Sequence, residues 1–257
     1  MMVDCYALNM TVAVDLDDLM RQGWPAHAEV PVDGWIARLS GGITQRANSV
    51  LPLAEPADLA AALDRVERLY REHGIAPSFQ LGPTTRPADL DDVLAHRGYR
   101  IQNRTSIEVA PVEDMLAALA EVDAARVRIG ATPEPDWMDL WWSVDGRGDE
   151  SARATAYRIL TAGTASYALR HDEQGASAIG RLAFVGDWAG LYCLAVRPDR
   201  RREGQAASII RALVESARDQ GITHIWLQVL AENQGARALY ARLGFRTAAW
   251  YHYRRQV

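Results

Sequence analysis

The sequence predicts a duplicated α/β chain, and three observations carry that expectation. Helical patterns, with apolar residues three and four apart, alternate with short runs rich in β-branched and aromatic residues. Two pairs of glycines recur at nearly one offset: Gly74 and Gly221 are 147 residues apart, Gly98 and Gly244 146 apart. Each follows a helix-like run and precedes a strand-like one, where a left-handed C-cap belongs. The halves also differ in charge: residues 1–110 carry 10 Arg against 15 acidic residues, and residues 111–257 carry 18 of each. The segment VAPVED (Val109–Asp114) reads as a strand end, a proline and a helix start, so the boundary falls between units 1–110 and 111–257.

The elements follow in order. REHGIAPSFQL (Arg71–Leu81) reads as helix end, glycine cap and strand, and matches RDQGITHIWLQV (Arg218–Val229). LAHRGYRIQNRTSIEV (Leu94–Val109) likewise matches YARLGFRTAAWYHYR (Tyr240–Arg254). In the second half, helices are expected near Asp136–Val144 and Ser151–Ala162, then strands at Thr164–Arg170, Ala176–Val185 and Trp188–Val196. A helix over Gln205–Gln220 follows, with Ile209, Ile210, Leu213, Val214 and Ala217 on one face. Strand Thr223–Leu230, helix Gln234–Leu243 and a strand near Ala248–Arg254 close the chain.

Composition narrows the function. The 257 residues are 49% hydrophobic, enough for a sizeable core, and the net charge is −5 without a basic tract. That argues against nucleic acid, since duplex binding needs a positive face. Two cysteines, Cys5 and Cys193, fit a reduced cytoplasm better than a disulfide scaffold. Neither metal-ligand spacing nor an apolar run of membrane length occurs, so a metal-free, soluble, cytoplasmic protein is expected.

The densest positive charge sits in LAVRPDRRREGQAASII (Leu194–Ile210), read as strand, turn and helix. Unpaired amides and the dipole at a helix N-terminus attract anions. Gly204 allows close backbone approach, Ala206 keeps the next turn narrow, and Arg200, Arg201 and Arg202 add forked donors. The loop suits a pyrophosphate. A P-loop would need a lysine, which the chain lacks, and a dinucleotide fold would need Gly-x-Gly-x-x-Gly, also missing. The pattern Arg/Gln-x-x-Gly-x-Gly/Ala is filled by Arg201, Arg202, Glu203, Gly204, Gln205 and Ala206.

With ENQGARALYARLGF (Glu232–Phe245) about thirty residues later, the chain resembles the GNAT superfamily of acetyl-CoA-dependent N-acetyltransferases. The likeness is specific over about Gly186–Arg254. The first half has LPLAEPADLAAAL at the corresponding place, so the whole resembles tandem two-domain members with one working site and a degenerate N-terminal copy. GWIARLSGGITQRANSV (Gly34–Val50) resembles a segment of such proteins, its Gly41-Gly42 reading as a hairpin. The resemblance implies an α/β (α+β) fold in which each domain is a mixed, mostly antiparallel sheet flanked by helices.

The resemblance also implies site residues. Strand Tyr192–Val196 would splay from Thr223–Leu230 to admit the pantetheine arm, held by backbone of Leu194 and Val196. The N–H of Leu194 or Ala195 would face the thioester oxygen, and amides from Arg202 through Ala207 would take the pyrophosphate. Tyr240 aligns with the tyrosine that protonates the departing thiolate; otherwise it is a core residue spaced from Ala236. Asn233 lies on the coenzyme side or is an N-cap, and Arg237 reaches a phosphate or solvent. The base often found as Glu before the loop falls on Gly190, leaving Asp187, His252 or Tyr251 as substitutes. Trp137 and Trp141 form an acceptor wall or pack the core, while Asp145 pairs with an acceptor ammonium or ends a turn. Arg46 and Asn48 are weaker acceptor candidates. Acetyl-CoA and an amine are the expected partners, of a monomer or homodimer. The function implied is N-acetyl transfer to a small amine, a protein N-terminus or a lysine; the alternatives are a silent acyl-CoA-binding regulatory module and a structural pairing protein.

Overall fold

The computed structural model describes residues 14–257; Cys5 and the N-terminal stretch around it lie outside the described residues. In chain order the elements are α1 (Leu16–Gly23), β1 (Ala28–Val32), β2 (Trp35–Leu39), β3 (Val50–Pro52), α2 (Leu59–Glu72), β4 (Ser78–Leu81), α3 (Leu90–His96) and β5 (Arg100–Pro111). They continue with α4 (Val112–Ala118), β6 (Val127–Gly130), α5 (Pro135–Asp145), α6 (Glu150–Thr161), β7 (Ala165–Asp172), β8 (Gly175–Val185) and β9 (Trp188–Val196). Then come α7 (Gln205–Asp219), β10 (His224–Leu230), α8 (Gln234–Arg242) and β11 (Arg246–Arg255).

Two compact units result, and they are not contiguous in sequence. Among the described residues, the first comprises 14–107, 230–232 and 247–257; the second comprises 108–229 and 233–246. The expected split at 110/111 is therefore corrected for the C-terminal strand, which joins the first unit. Its partner explains this: β11 pairs antiparallel with β4, His252 opposite Leu81 and Arg255 opposite Ser78. Pairing between strands so far apart in sequence leaves no trace in local periodicity.

Within each unit the strands repeat one plan. In the first, the order is β1-β2-β3-β4-β11, with β1–β2 and β2–β3 antiparallel and β3–β4 parallel. In the second it is β10-β9-β8-β7-β6, with β7–β8 and β8–β9 antiparallel and β9–β10 parallel. Two antiparallel steps and one parallel step thus occur twice, and the four repeat glycines all adopt positive φ, from 66° to 88°. Gly41 and Gly42 open the connection of the antiparallel pair β2–β3.

Apolar faces build the cores. Ile209, Ile210, Leu213, Val214 and Ala217 of α7 are buried with Ala168, Leu182, Leu191, Leu227 and Phe245. Each large side chain in that stripe contributes about 1.5–3 kcal/mol by leaving water. The first unit has its own cluster, Trp35, Val50, Val66, Tyr70, Phe79 and Leu94 among its members.

Candidate active site

The site grows from two departures from regular pairing at the end of β9. On the β8 side, Arg181 faces Tyr192 but Ile179 faces Ala195, so β9 carries one extra residue there. Cys193 sits in that bulge with φ +53°. On the other side, the parallel register with β10 ends at Leu191–Leu227, although β9 runs on to Val196 and β10 to Leu230. A ladder that stops while its strands continue leaves the β10-facing side of Leu194–Val196 without a strand partner.

Past Val196 the chain makes a 3₁₀ turn over Pro198–Arg200 and enters α7 through Gly204, whose φ of +77° is left-handed. A Cβ there would meet no described atom within 4 Å, so backbone conformation rather than crowding calls for glycine. No side chain of the described residues caps α7, and its first intrahelical bond is Ser208 N to Gly204 O at 3.1 Å. The amides of Gln205, Ala206 and Ala207 therefore open the helix without a side-chain acceptor. The matching helix of the first unit differs: Asp58 caps α2, its carboxylate accepting from Ala61 N at 3.0 Å. One helix start presents donors, and the other is already filled by a carboxylate.

Charge around the α7 loop is sorted. Arg200 pairs with Asp172 at 2.7 Å and approaches Asp199 and Glu203. Arg201 and Arg202 are exposed and form no ion pair with described residues; the Nε of Arg201 reaches only Val196 O, at 3.4 Å. Two of the three consecutive arginines thus remain available to an anion at the helix start.

Tyr240 on α8 packs against the same core cluster as Leu194 and Val196 of β9 and Ala207 of α7. Phe245 meets its ring edge-on at 5.6 Å. Burial pushes its phenol up to about 12, so it is fully protonated near neutral pH. Its hydroxyl makes no hydrogen bond to a described residue and is thus a donor in reserve.

Residues 15–256 match the family model described as "Probable histone acetyltransferase Rv0428c C-terminal". The chain belongs to this family of GNAT acetyltransferases. Over 242 residues this acetyltransferase is 25% identical to the "Uncharacterized N-acetyltransferase YobR" of Bacillus subtilis (strain 168), covering 93% of this chain and 96% of the relative. A GCN5-related N-acetyltransferase from Kribbella flavida shares the fold with a TM-score of 0.70 at 18% identity, over 94% of each chain. A tandem GNAT protein from the clavulanic acid biosynthesis pathway shares it with a TM-score of 0.62 at 13% identity, over 99% of this chain and 91% of that one. The acetyltransferase is thus an acyltransferase whose two similar units agree with a tandem arrangement.

The remaining expected site residues are divided between the two units. Asp187 occupies the turn before β9, and its backbone carbonyl accepts from Thr223 N at 2.8 Å. Six strand residues lie between it and Leu194, seven steps or roughly 23 Å of extended chain, which sets its carboxylate well away from the end of β9. His252 belongs to the first unit, where its Nε2 meets Asp91 at 2.8 Å beside Arg254 at 2.7 Å. That network, with Arg254 the larger cause, holds the Asp91 carboxyl below its ordinary range. Tyr251 is a buried neighbour of Tyr253 in the same unit.

Trp137 and Trp141 are core residues, not an exposed acceptor wall. Trp137 is 0% exposed, donates to Gly180 O at 3.3 Å and meets Tyr167 edge-on; Trp141 is 4% exposed. Asp145 is exposed at the end of α5. Asn233 caps α8, its Oδ1 accepting from Ala236 N at 3.1 Å, and Arg237 is half-buried one turn on. Asn48 spends its amide inside its own loop, on Ser40 N, Gly42 N, Ile43 O and Thr44 O. Arg46 lies 6.0 Å from the Trp24 ring in the first unit.

Gly190 has a physical reason that the sequence hid. A Cβ there would come within 2.5 Å of the Tyr192 ring and 2.6 Å of Trp226. The Trp226 indole N–H donates to the Tyr192 hydroxyl at 3.3 Å, and the buried Arg181 guanidinium lies 5.6 Å from the Tyr192 ring. An aromatic pair fills the place where a carboxylate would project. Among the described residues no group of three or more His, Cys, Asp and Glu could hold a metal, and no helix is long and apolar enough to cross a membrane.

Proposed function

We propose that the protein transfers an acetyl group from acetyl-CoA to a primary amine of a small molecule or protein, using one site in the second unit. The observation that carries this reading is the end of the β9–β10 register at Leu191–Leu227, followed at once by a helix start whose amides lack a side-chain cap. In this reading Gln205, Ala206 and Ala207 donate their N–H groups to the coenzyme diphosphate, with Glu203 and Gly204 shaping the turn and Arg201 and Arg202 adding charge. The open β9 edge at Leu194, Ala195 and Val196 aligns the pantetheine arm, and an N–H of Leu194 or Ala195 stabilises the thioester oxygen as charge develops. Asn233 and Arg237 flank the coenzyme side from α8.

The amine nitrogen attacks the thioester carbonyl carbon, the C–S bond breaks, and Tyr240 gives the departing sulfur its hydroxyl proton. The amine's own proton leaves to water, and solvent restores the phenol. The absence of a side chain at Gly190 fits an acceptor that arrives neutral. The first unit, with Asp58 on the amides of α2, is read as a copy without a coenzyme site. Acetyl-CoA turnover with a panel of primary amines, followed by free-thiol release, tests the function. Amine-dependent thiol release supports it; no release above the no-amine background across the panel, with no measurable coenzyme binding, refutes it.

A further inference from the structure

One side-chain cluster next to the proposed coenzyme loop is built far more strongly than an exposed turn needs. Arg197 is the first residue after β9, at the corner where the chain leaves the sheet for α7. Its backbone N–H donates to Ser177 O at 2.9 Å, tying the corner to β8. Its guanidinium forks onto Asp172 at the end of β7, Nη2 to Oδ2 at 2.6 Å and Nη1 to Oδ1 at 3.2 Å. It also forks onto Asp199 in the 3₁₀ turn, Nε to Oδ1 at 2.7 Å and Nη2 to Oδ2 at 3.1 Å. Two further acceptors, Ala176 O at 3.1 Å and the Gln174 side chain at 3.3 Å, complete its donors.

Asp172 is shared. Its Oδ2 also pairs with Arg200 Nε at 2.7 Å, and its Oδ1 accepts Gln174 N at 2.9 Å. The β7–β8 hairpin end and the loop entering α7 are thus riveted by one carboxylate between two guanidiniums. Both partners are largely covered for a surface pair, with side chains 19% and 20% exposed. The Arg197 fork holds the Asp172 carboxyl well down, at about 2. Bidentate guanidinium–carboxylate pairs fix orientation as well as adding energy, which sets this cluster apart from an ordinary exposed ion pair.

We propose that Arg197 and Asp172 are positioning residues for coenzyme binding: their fork fixes the corner from which the loop reaches the open amides of α7, leaving Arg201 and Arg202 for the ligand. The inference rests on the function proposed above. Neither residue touches the reacting atoms. Without the fork the loop samples other arrangements, and apparent affinity falls by the fraction of molecules in the competent one. A loop correctly placed about a tenth of the time binds coenzyme about tenfold more weakly, while bound complexes react at the normal rate.

The test uses the full chain with Asp172→Asn, Asp172→Glu and Arg197→Lys, measuring the Kd of CoA by calorimetry and the kcat and KM for acetyl-CoA. Asp172→Asn and Arg197→Lys should each raise Kd and KM about tenfold with kcat within twofold, and Asp172→Glu should recover most of the affinity. The KM for the amine should be unchanged, a split that general loss of folded protein would not produce. Kd within twofold of the parent in both disruptive variants overturns the proposal, as does a fall in kcat equal to the rise in KM. If one variant does not fold, by far-ultraviolet circular dichroism, the other decides by the same criteria. Failure of the parent protein to bind CoA would instead refute the proposed function, so the two failures are distinguishable.

Discussion

Replacing Gly190 by alanine tests why this acetyltransferase carries no side chain at the position where the resemblance leads one to expect a carboxylate. The added Cβ would lie 2.5 Å from Tyr192 Cε2 and 2.6 Å from Trp226 Cζ2. Both rings are buried, Trp226 at 0% and Tyr192 at 5% exposure, so neither can swing into solvent. Forcing a methyl into such a place costs about 1–3 kcal/mol. Breaking the Trp226–Tyr192 hydrogen bond, 3.3 Å long, adds about 1 kcal/mol. Alanine recovers about 0.5–1 kcal/mol by restricting the unfolded chain. The net loss is about 1–3 kcal/mol, a fall in Tm of roughly 3–10 °C for a unit of this size. Thermal unfolding followed by circular dichroism and tryptophan fluorescence measures it. A Tm within 1 °C of the parent, or above it, would show that the ring pair does not close this position. Gly190→Glu should be worse still, adding a buried carboxylate, and should not raise turnover.

Tyr240→Phe should lower kcat about 10²-fold or more, the usual range for a lost general acid, with the Kd of CoA within threefold of the parent. Because burial raises the phenol to about 12, its ionisation removes activity only above pH 11, and no Tyr240-dependent fall should appear between pH 8 and 10; a falling limb there that vanishes in the variant would contradict the role. Asp187→Asn should leave kcat/KM within about twofold, since the carboxylate sits at the far end of β9; a 100-fold loss would restore it as a base. Trp137→Ala should destabilise the protein by about 3–5 kcal/mol in denaturant unfolding, as for a large core aromatic, whereas full stability with a raised amine KM would return Trp137 to an acceptor wall.

Much of this architecture is legible in the chain because local physics wrote it there. The α7 stripe follows from the 3.6-residue period, and all five of its named residues are at most 1% exposed. The glycine pairs mark left-handed helix ends because few other residues tolerate positive φ. The loop before α7 is legible because a run of arginines before a glycine and small residues has few other uses. Other features depend on partners that sequence spacing does not name. β11 crosses into the first unit by pairing with β4, and that register is set over about 170 residues of separation. The distance from Asp187 to the bulge depends on a whole extended strand lying between them. The ring pair over Gly190, and the fork joining Arg197 to Asp172, appear only once β7, β8, β9 and β10 stand side by side. The helix start read in VAPVED is the start of α4, whereas the short edge strand β6 is too brief and weakly periodic to stand out in the sequence.

The most direct test of the central claim is an amide proton–nitrogen chemical-shift titration of the isotope-labelled protein with CoA. The expected result is that the largest shifts fall on Gly204, Gln205, Ala206 and Ala207, with smaller ones along Leu194–Val196. Largest shifts at the start of α2, around Leu59–Ala62, or none at the α7 turn at saturating CoA, would contradict it.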